Sequence, residues 1–433
     1  MRQVKSANQA QSAKGRFHCV VIDAATQEVV QDHGWQDNLI LDQGLNQVAS
    51  RAWCDNFLVA CIGTNTEPTF DSGGASTASQ SGFTVTIDSG VFTFTAGGLD
   101  VGDEGKWIKF LSGEEAKITA YISSTQVTVA VSQTVASTTF KLHRCNQTAL
   151  YTEIQRTNNY VTGAGNCQTT RSSNVLTHRR TWDFPTEVGP VTYRELGVSY
   201  NGVGPGNLFS RIVLSSPVSL IAAQILRVSY ELVLTITPFS PVVVADPNIG
   251  GWPIAPSVTD GGVFAWQMIG LSAVSTSGPS AKYDNAGYCN EPFANSFVST
   301  SVPTGNDLSP FTQSFSVDGA RMFLSNSANA PASFASSVNR NGDRATIGVT
   351  LSSYTAGTFT RNKSATYGLS AANRVDWRAM GIGAHDASSD ATVDHSTTRY
   401  SGIVFVFDEF QTKLSTHTLN LVFKYSWGRT LPV

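Results

Sequence analysis

The sequence predicts an all-β chain: tandem β-sandwich, jelly-roll-like domains with one short helix and a small inserted β module. Three observations predict it. Short runs of alternating apolar and polar residues, separated by Gly, Asp, Ser and Asn, recur along most of the 433 residues. Charged residues make up only 14% of the chain, against about 25% in an average soluble domain, and the balance is Ser, Thr, Asn, Gly and Val, which suit strands and polar turns. One stretch carries helical spacing, with Leu41, Leu45, Val48 and Ala52 on one face, and predicts a helix over 42–52 with Asp42 as its N-cap.

The elements follow in order. A strand is expected over 16–22, then a turn at Asp23-Ala24-Ala25-Thr26 and a second strand around Val29. After the helix, a buried strand over 57–62 leads into Gly63-Thr64-Asn65-Thr66-Glu67-Pro68. The stretch Asp71-Ser72-Gly73-Gly74-Ala75-Ser76 reads as a linker. It opens a run of short strands around Val85, Phe92, Ile108, Ile118 and Val129, so 71–143 is expected to be an independent module set into a loop. Lengthening a loop adds little closure entropy, so such an insertion is tolerated.

An internal repeat sets the domain plan. Thr181-Trp182-Asp183-Phe184 followed by Tyr193-Arg194-Glu195-Leu196-Gly197-Val198 parallels Thr366-Tyr367-Gly368-Leu369 followed by Trp377-Arg378-Ala379-Met380-Gly381-Ile382. Downstream, Phe209-Ser210-Arg211-Ile212-Val213 parallels Tyr400-Ser401-Gly402-Ile403-Val404, and Leu226 to Tyr230 parallels Leu419 to Phe423. The expected domains are 1–70 plus 144–245, the insert 71–143, and 246–433 as a duplicate of the first. Their join falls in the Pro- and Gly-rich stretch 238–251.

The formal net charge is −3, with no basic stripe, so nucleic-acid binding is not expected. No apolar run approaches the roughly 18 residues of a membrane span. The polar start, Met1-Arg2-Gln3-Val4-Lys5, predicts no signal peptide and synthesis in a cytoplasm. Six scattered cysteines, with no Cys-x-x-Cys pair, are expected to be structural thiols.

Few residues invite a chemical role. His385, Asp386, Asp390, Asp394 and His395 have the donor types of a cation site, but their spacing fits no defined loop, and a polar turn is the plainer reading. Arg194 and Arg378 are expected to satisfy loop carbonyls or stack on an aromatic. Glu114 with Glu115, and Asp408 with Glu409, are adjacent, so in a strand each pair points to opposite faces rather than across a cleft. Trp182, Tyr193, Trp377 and Trp427 read as core. The loops at Tyr200-Asn201-Gly202 and over 283–288 are the better contact surfaces. No catalytic, cofactor-binding or metal residue is assigned, no cofactor is expected, and turnover is not.

The segments Asn38-Leu39-Ile40 with Gly44-Leu45, Ile62 to Pro68, Leu150-Tyr151-Thr152-Glu153-Ile154-Gln155-Arg156-Thr157, Glu195-Leu196-Gly197-Val198 and Leu208-Phe209-Ser210-Arg211 resemble a pattern of bacteriophage tail and virion structural proteins. The insert, through Gly102-Asp103-Glu104-Gly105-Lys106-Trp107-Ile108, is similar to small β modules carried on phage tails. The resemblance spans roughly 16–235. It implies a virion component of the tail tip, neck or fibre attachment, whose partners are its own copies, other virion proteins and a host-surface glycan or receptor. The alternatives are a capsid decoration or head-fibre protein and a tail-borne polysaccharide depolymerase. Replacing 71–143 with a short Gly/Ser bridge is expected to leave the remainder folded, read as one cooperative unfolding transition.

Overall fold

The computed structural model describes residues 2–49, 56–71, 85–88, 90–94, 98–110, 113–130, 140–161, 166, 168–172, 175–242, 264–265, 320–325, 344–348, 350–384, 402–416 and 418–432. These residues are mostly strand, with one α-helix, and the all-β class stands. The chain begins with β1 (Arg2–Asp23), β2 (Val29–Ile40), α1 (Asp42–Val48) and β3 (Val59–Gly63). Then come β4 (Phe70–Asp71), β5 (Val85–Asp88), β6 (Val91–Phe94), β7 (Trp107–Phe110), β8 (Glu115–Ser123), β9 (Gln126–Val129) and β10 (Phe140–His143). The return to the main body is β11 (Glu153–Thr157), β12 (Gln168–Ser172), β13 (Val175–Asp183), β14 (Val191–Ser199), β15 (Leu208–Leu220) and β16 (Gln224–Val242). The remainder is β17 (Phe264–Ala265), β18 (Ala320–Ser325), β19 (Arg344–Gly348), β20 (Thr350–Leu351), β21 (Thr360–Tyr367), β22 (Arg374–Ala384), β23 (Gly402–Lys413) and β24 (Thr418–Arg429).

The described strands form three sheets. The largest runs β11-β3-β14-β15-β2-β1-β16-β13-β12, with β24 beside β1, β21 on β24 and β20 on β21. Among the described residues the strands between Phe70 and His143 pair with one another, as β4-β10-β7-β8-β9-β6-β5. The third sheet is β19-β18-β22-β23-β17. The pairings recur. The order β19-β18-β22-β23-β17 repeats β11-β3-β14-β15-β2, and β24-β21-β20 repeats β16-β13-β12, strand for strand in chain order. Arg194 on β14 and Arg378 on β22 lie on strands that correspond in this scheme.

The first strand is longer than the apolar pattern predicts. Only residues 16–22 show clear alternation, with Phe17, Cys19 and Val21 buried, yet β1 starts at Arg2. The reason is pairing on both edges. Residues 6–23 run antiparallel to β16, residues 15–22 pair with β2, and residues 2–13 run parallel to residues 418–429 of β24. Backbone hydrogen bonds to two neighbours hold a polar segment extended without help from a side-chain pattern. The helix also differs from expectation. It ends at Val48, and its N-cap is Leu41, which makes no side-chain cap. Asp42 is the first helical residue, and its carboxylate is used elsewhere.

Phe17 on β1, Tyr230 on β16, Phe209 on β15 and Phe57 ahead of β3 form the centre of the main core. Their ring centroids are 4.9 Å (Phe17–Tyr230), 5.2 Å (Phe57–Tyr230) and 6.2 Å (Phe57–Phe209) apart. Tilted aromatic contacts of this kind add to plain area burial. The segment between β4 and β10 has its own core of Phe92, Ile108, Phe110, Ile118, Phe140 and Leu142. Trp107 on β7 faces the other way, against the cluster containing Leu39, Cys61, Cys145 and Leu431. Excising 71–143 therefore removes a packing partner of the main body and carries a stability cost.

His143, at the end of β10, is fully buried, and neither ring nitrogen finds a hydrogen-bond partner. Burial, aided by Lys141, Arg429 and Lys109, depresses its pKa to about 3. His178 is lowered to about 4, by burial and then Arg180. The unfolded chain takes up these protons below its ordinary value of about 6.5, while the folded chain refuses them. Stability is thus complete above about pH 6.5 and falls as pH drops toward each folded value, by up to about 1.4 kcal/mol per pH unit for each group. We expect urea unfolding at about pH 7.5 and about pH 5 to show this loss, and His143→Phe to reduce it. An unchanged slope in that variant would contradict the assignment.

Candidate functional site: a buried ionic joint and the cleft beside it

The segments that carry the sequence resemblance meet at one place. β14 is flanked by β3 and β15, and Glu195 to Ser199 are all buried there. Glu195 and Arg211, both 0% exposed, face each other with Arg211 Nε donating to Glu195 Oε2 at 3.0 Å. The other carboxylate lone pairs accept the backbone amides of Tyr151 (3.3 Å) and Thr152 (2.9 Å). Arg211 Nη1 donates to Gln147 Oε1 at 3.0 Å, Nη2 to the Glu67 carbonyl at 2.6 Å, and the guanidinium lies 4.8 Å from the Tyr151 ring centroid. One ion pair thus fixes the two chain segments that lead into and out of the β4–β10 sheet.

Two glycines of these segments have a steric role, Gly63 at the joint itself and Gly44 against β15. A Cβ on Gly63 would sit 2.4 Å from the Thr152 carbonyl and 2.6 Å from Glu195 Oε1. A Cβ on Gly44 would lie 2.6 Å from the Phe209 carbonyl. Burial pulls the Arg211 pKa below its ordinary value, and Glu195 opposes the shift. Arginine still stays charged, so the pair is ionic. Taking two charges out of water is stabilising only where geometry and extra hydrogen bonds compensate, and here each charge has several partners.

A second junction is built on Asp42. It accepts from Trp107 Nε1 (3.1 Å), Lys117 Nζ (2.5 Å) and Arg429 Nη2 (2.5 Å). The helix, the β4–β10 sheet and the last strand therefore share one carboxylate. Nearby, Trp427 Nε1 donates to the Leu45 carbonyl at 2.8 Å, and Arg361 Nη1 to that of Ala49 at 2.6 Å. A third cluster lies on the β1–β2–β13–β16 face. There Arg16 and Arg179 both bind Glu231 and both cover the Trp35 ring, at 4.6 and 5.2 Å.

Beside the first joint a cleft of about 540 Å³ opens between the turn at 100–106 and the return segment 144–151. The turn is fixed by a capping box between Asp100 and Asp103, and Lys106 pairs with Asp103 at 2.6 Å. On the opposite wall Arg144 binds Glu67 at 2.8 Å and donates to the Tyr151 hydroxyl at 3.0 Å. Asn146 Nδ2 donates to the Glu104 carbonyl at 3.2 Å, joining the two walls.

The residues singled out from sequence are mostly elsewhere. Arg194 is half-buried on β14, one residue from the Glu195 that carries the joint. Arg378 lies on β22, and Asp408 and Glu409 on β23. Glu115 pairs with Lys109 at 2.7 Å. His385, Asp386, Asp390, Asp394, His395 and the 283–288 loop lie outside the described residues. At the other loop, Asn201 is exposed and its carbonyl accepts from Arg156 at 2.7 Å. Trp182, Tyr193 and Trp427 are buried. Cys19, Cys61 and Cys145 are buried free thiols, and burial pushes Cys19 and Cys145 up to about 12; Cys54, Cys167 and Cys289 are outside the described residues. Among the described residues no group of three or more His, Cys, Asp or Glu is placed to hold a metal. Glu195 and Arg211 carry no motif of their own in the sequence, and the signal for them is their opposite charge inside the resemblance segments. Comparison with family models, with curated proteins and with solved structures returned no match.

Removing one member of a fully buried pair strands the other. Arg211→Met is expected to lower unfolding stability by about 3–5 kcal/mol. Glu195→Gln, which keeps an acceptor, should cost less than Glu195→Leu, which leaves the Tyr151 and Thr152 amides unpaired. Denaturant unfolding of the three variants measures this order, and equal losses would contradict it.

Proposed function

We propose that the chain is a structural component of a bacteriophage virion, a tail protein of the tail tip, neck or fibre attachment that acts by assembly rather than turnover. The observation that carries this reading is the convergence of the resemblance segments on one buried joint. Their charged residues bind each other and backbone groups, and so hold strands and loops in register. A pattern that marks such a joint is a pattern for a rigid scaffold. The Asp42 junction and the parallel pairing of the first strand with the last support the same reading, because they tie distant parts of the chain together.

In this reading the chain comprises tandem jelly-roll-like domains, 1–70 plus 144–245 and 246–433, with 71–143 as an inserted module. The recurring strand pairings support that division. Its partners are its own copies and other virion proteins, with a host-surface glycan or receptor contacted from exposed loops. Among the described residues β11 and β12 are the outer strands of the main sheet, and edges of this kind suit pairing with neighbours in the particle.

The test is to purify particles from the producing host and locate the protein by immunogold electron microscopy. Label on the tail is expected. Label on the head would favour the decoration-protein reading, and absence from particles would overturn the virion assignment. Incubation of the purified protein with host polysaccharide is expected to release no reducing ends. Sustained release, abolished by one Asp or Glu substitution that leaves the fold intact, would replace the structural reading with a depolymerase.

A further inference from the structure

We propose that the cleft between the 100–106 turn and the 144–151 segment binds an oligosaccharide through a carboxylate-bearing sugar. This deepens the host-contact part of the reading above, and its test uses the isolated chain, so its failure leaves the virion assignment standing.

Three features of the cleft lead here. Its lining presents two cations, Lys106 and Arg144, and no carboxylate. Of their partners, Asp103 is buried and the half-exposed Glu67 lies outside the lining, so the charged side chains of the lining itself are cations. Second, Tyr151 is 47% exposed yet engaged at its ring, hydroxyl and amide. Arg211 stacks on its ring at 4.8 Å, Arg144 donates to its hydroxyl at 3.0 Å, and Glu195 accepts its amide. An aromatic fixed in this way contributes little to the core for the order it requires. It offers a pre-organised surface on which the C–H face of a pyranose stacks, with little conformational entropy left to lose. Third, Asn146 and Gln147 add amide groups of the type that pair with sugar hydroxyls. A volume of about 540 Å³ lies within the roughly 300–1,000 Å³ of ligand clefts.

An anion alone would not use the aromatic, and a neutral glycan would not use the cations. A carboxylated sugar uses both, with Arg144 and Lys106 directed at the carboxylate and Tyr151 at the ring. Because both cations already have carboxylate partners, single-site affinity is expected to be modest and salt-sensitive. Several copies in one particle would raise it by avidity.

The experiment is saturation-transfer NMR with the full chain and four probes at millimolar concentration. These are a glucuronate-containing tetrasaccharide, a sialic-acid-bearing trisaccharide, the tetrasaccharide with its carboxylates reduced to alcohols, and a Glu-rich peptide. At least one carboxylated sugar is expected to bind, and the reduced form to bind at least several-fold more weakly. Tyr151→Ala should weaken binding about tenfold, whereas Tyr151→Phe, which keeps the ring, should retain most of it. Thermal unfolding of each variant separates lost binding from lost fold. Failure of both carboxylated sugars to bind, equal binding of the reduced tetrasaccharide, or peptide binding in their place would overturn the proposal.

Discussion

The contact between Glu195 and Arg211 is the constraint on which the surrounding structure depends. Both groups are wholly removed from water, so every lone pair and N–H of the pair needs a partner. Those partners fix the neighbouring backbone: the Glu67 carbonyl on one side, and the Tyr151 and Thr152 amides on the other. The chain leaves the main sheet after Gly63, shortly before the first, and rejoins it at Glu153, directly after the second. A long excursion, from Phe70 to His143, can therefore form its own sheet without loosening the sheet it departs from. The close contact at Gly63 follows from the same requirement, since a side chain there would meet the Thr152 carbonyl and the Glu195 carboxylate.

The first strand has a comparable role on a larger scale. β16 has β1 on one edge and β13 on the other, while β24 has β1 on one edge and β21 on the other. The two corresponding strands of the recurring pattern thus share one neighbour, antiparallel to the first and parallel to the second. Thr430 N continues this seam by donating to the Ala13 carbonyl at 2.8 Å. Arg429 then reaches Asp42, and Leu431 enters the cluster that includes Trp107. Arg429 and Leu431 thus link the helix to the β4–β10 sheet.

Much of this was legible in the sequence, and what was not has physical reasons. Alternation of Phe17, Cys19 and Val21 marked the inner face of β1, and the turn-separated runs around Phe92, Ile108 and Ile118 marked a separate core. Residues 2–13 showed no such pattern because their order comes from backbone pairing with β16 and β24, which side-chain periodicity does not encode. Asp42 stood where an N-cap is expected. Its partners Lys117 and Arg429 are distant in sequence and drew the carboxylate away from the helix. Arg194 stands out in the sequence because its aromatic-Arg step repeats at Trp377-Arg378, whereas Glu195 has no acidic counterpart in the second copy. The complementarity of Glu195 with Arg211 appears only once β14 and β15 are paired, with Gly197 opposite Arg211.

The most direct test of the central claim is amide hydrogen exchange at Tyr151 and Thr152. These residues are exposed and lie in a turn, where amides ordinarily exchange freely. Because both donate to a buried carboxylate that orders the surrounding segments, the account predicts protection comparable to the amides of β14. Exchange at the rate of an open loop would contradict it.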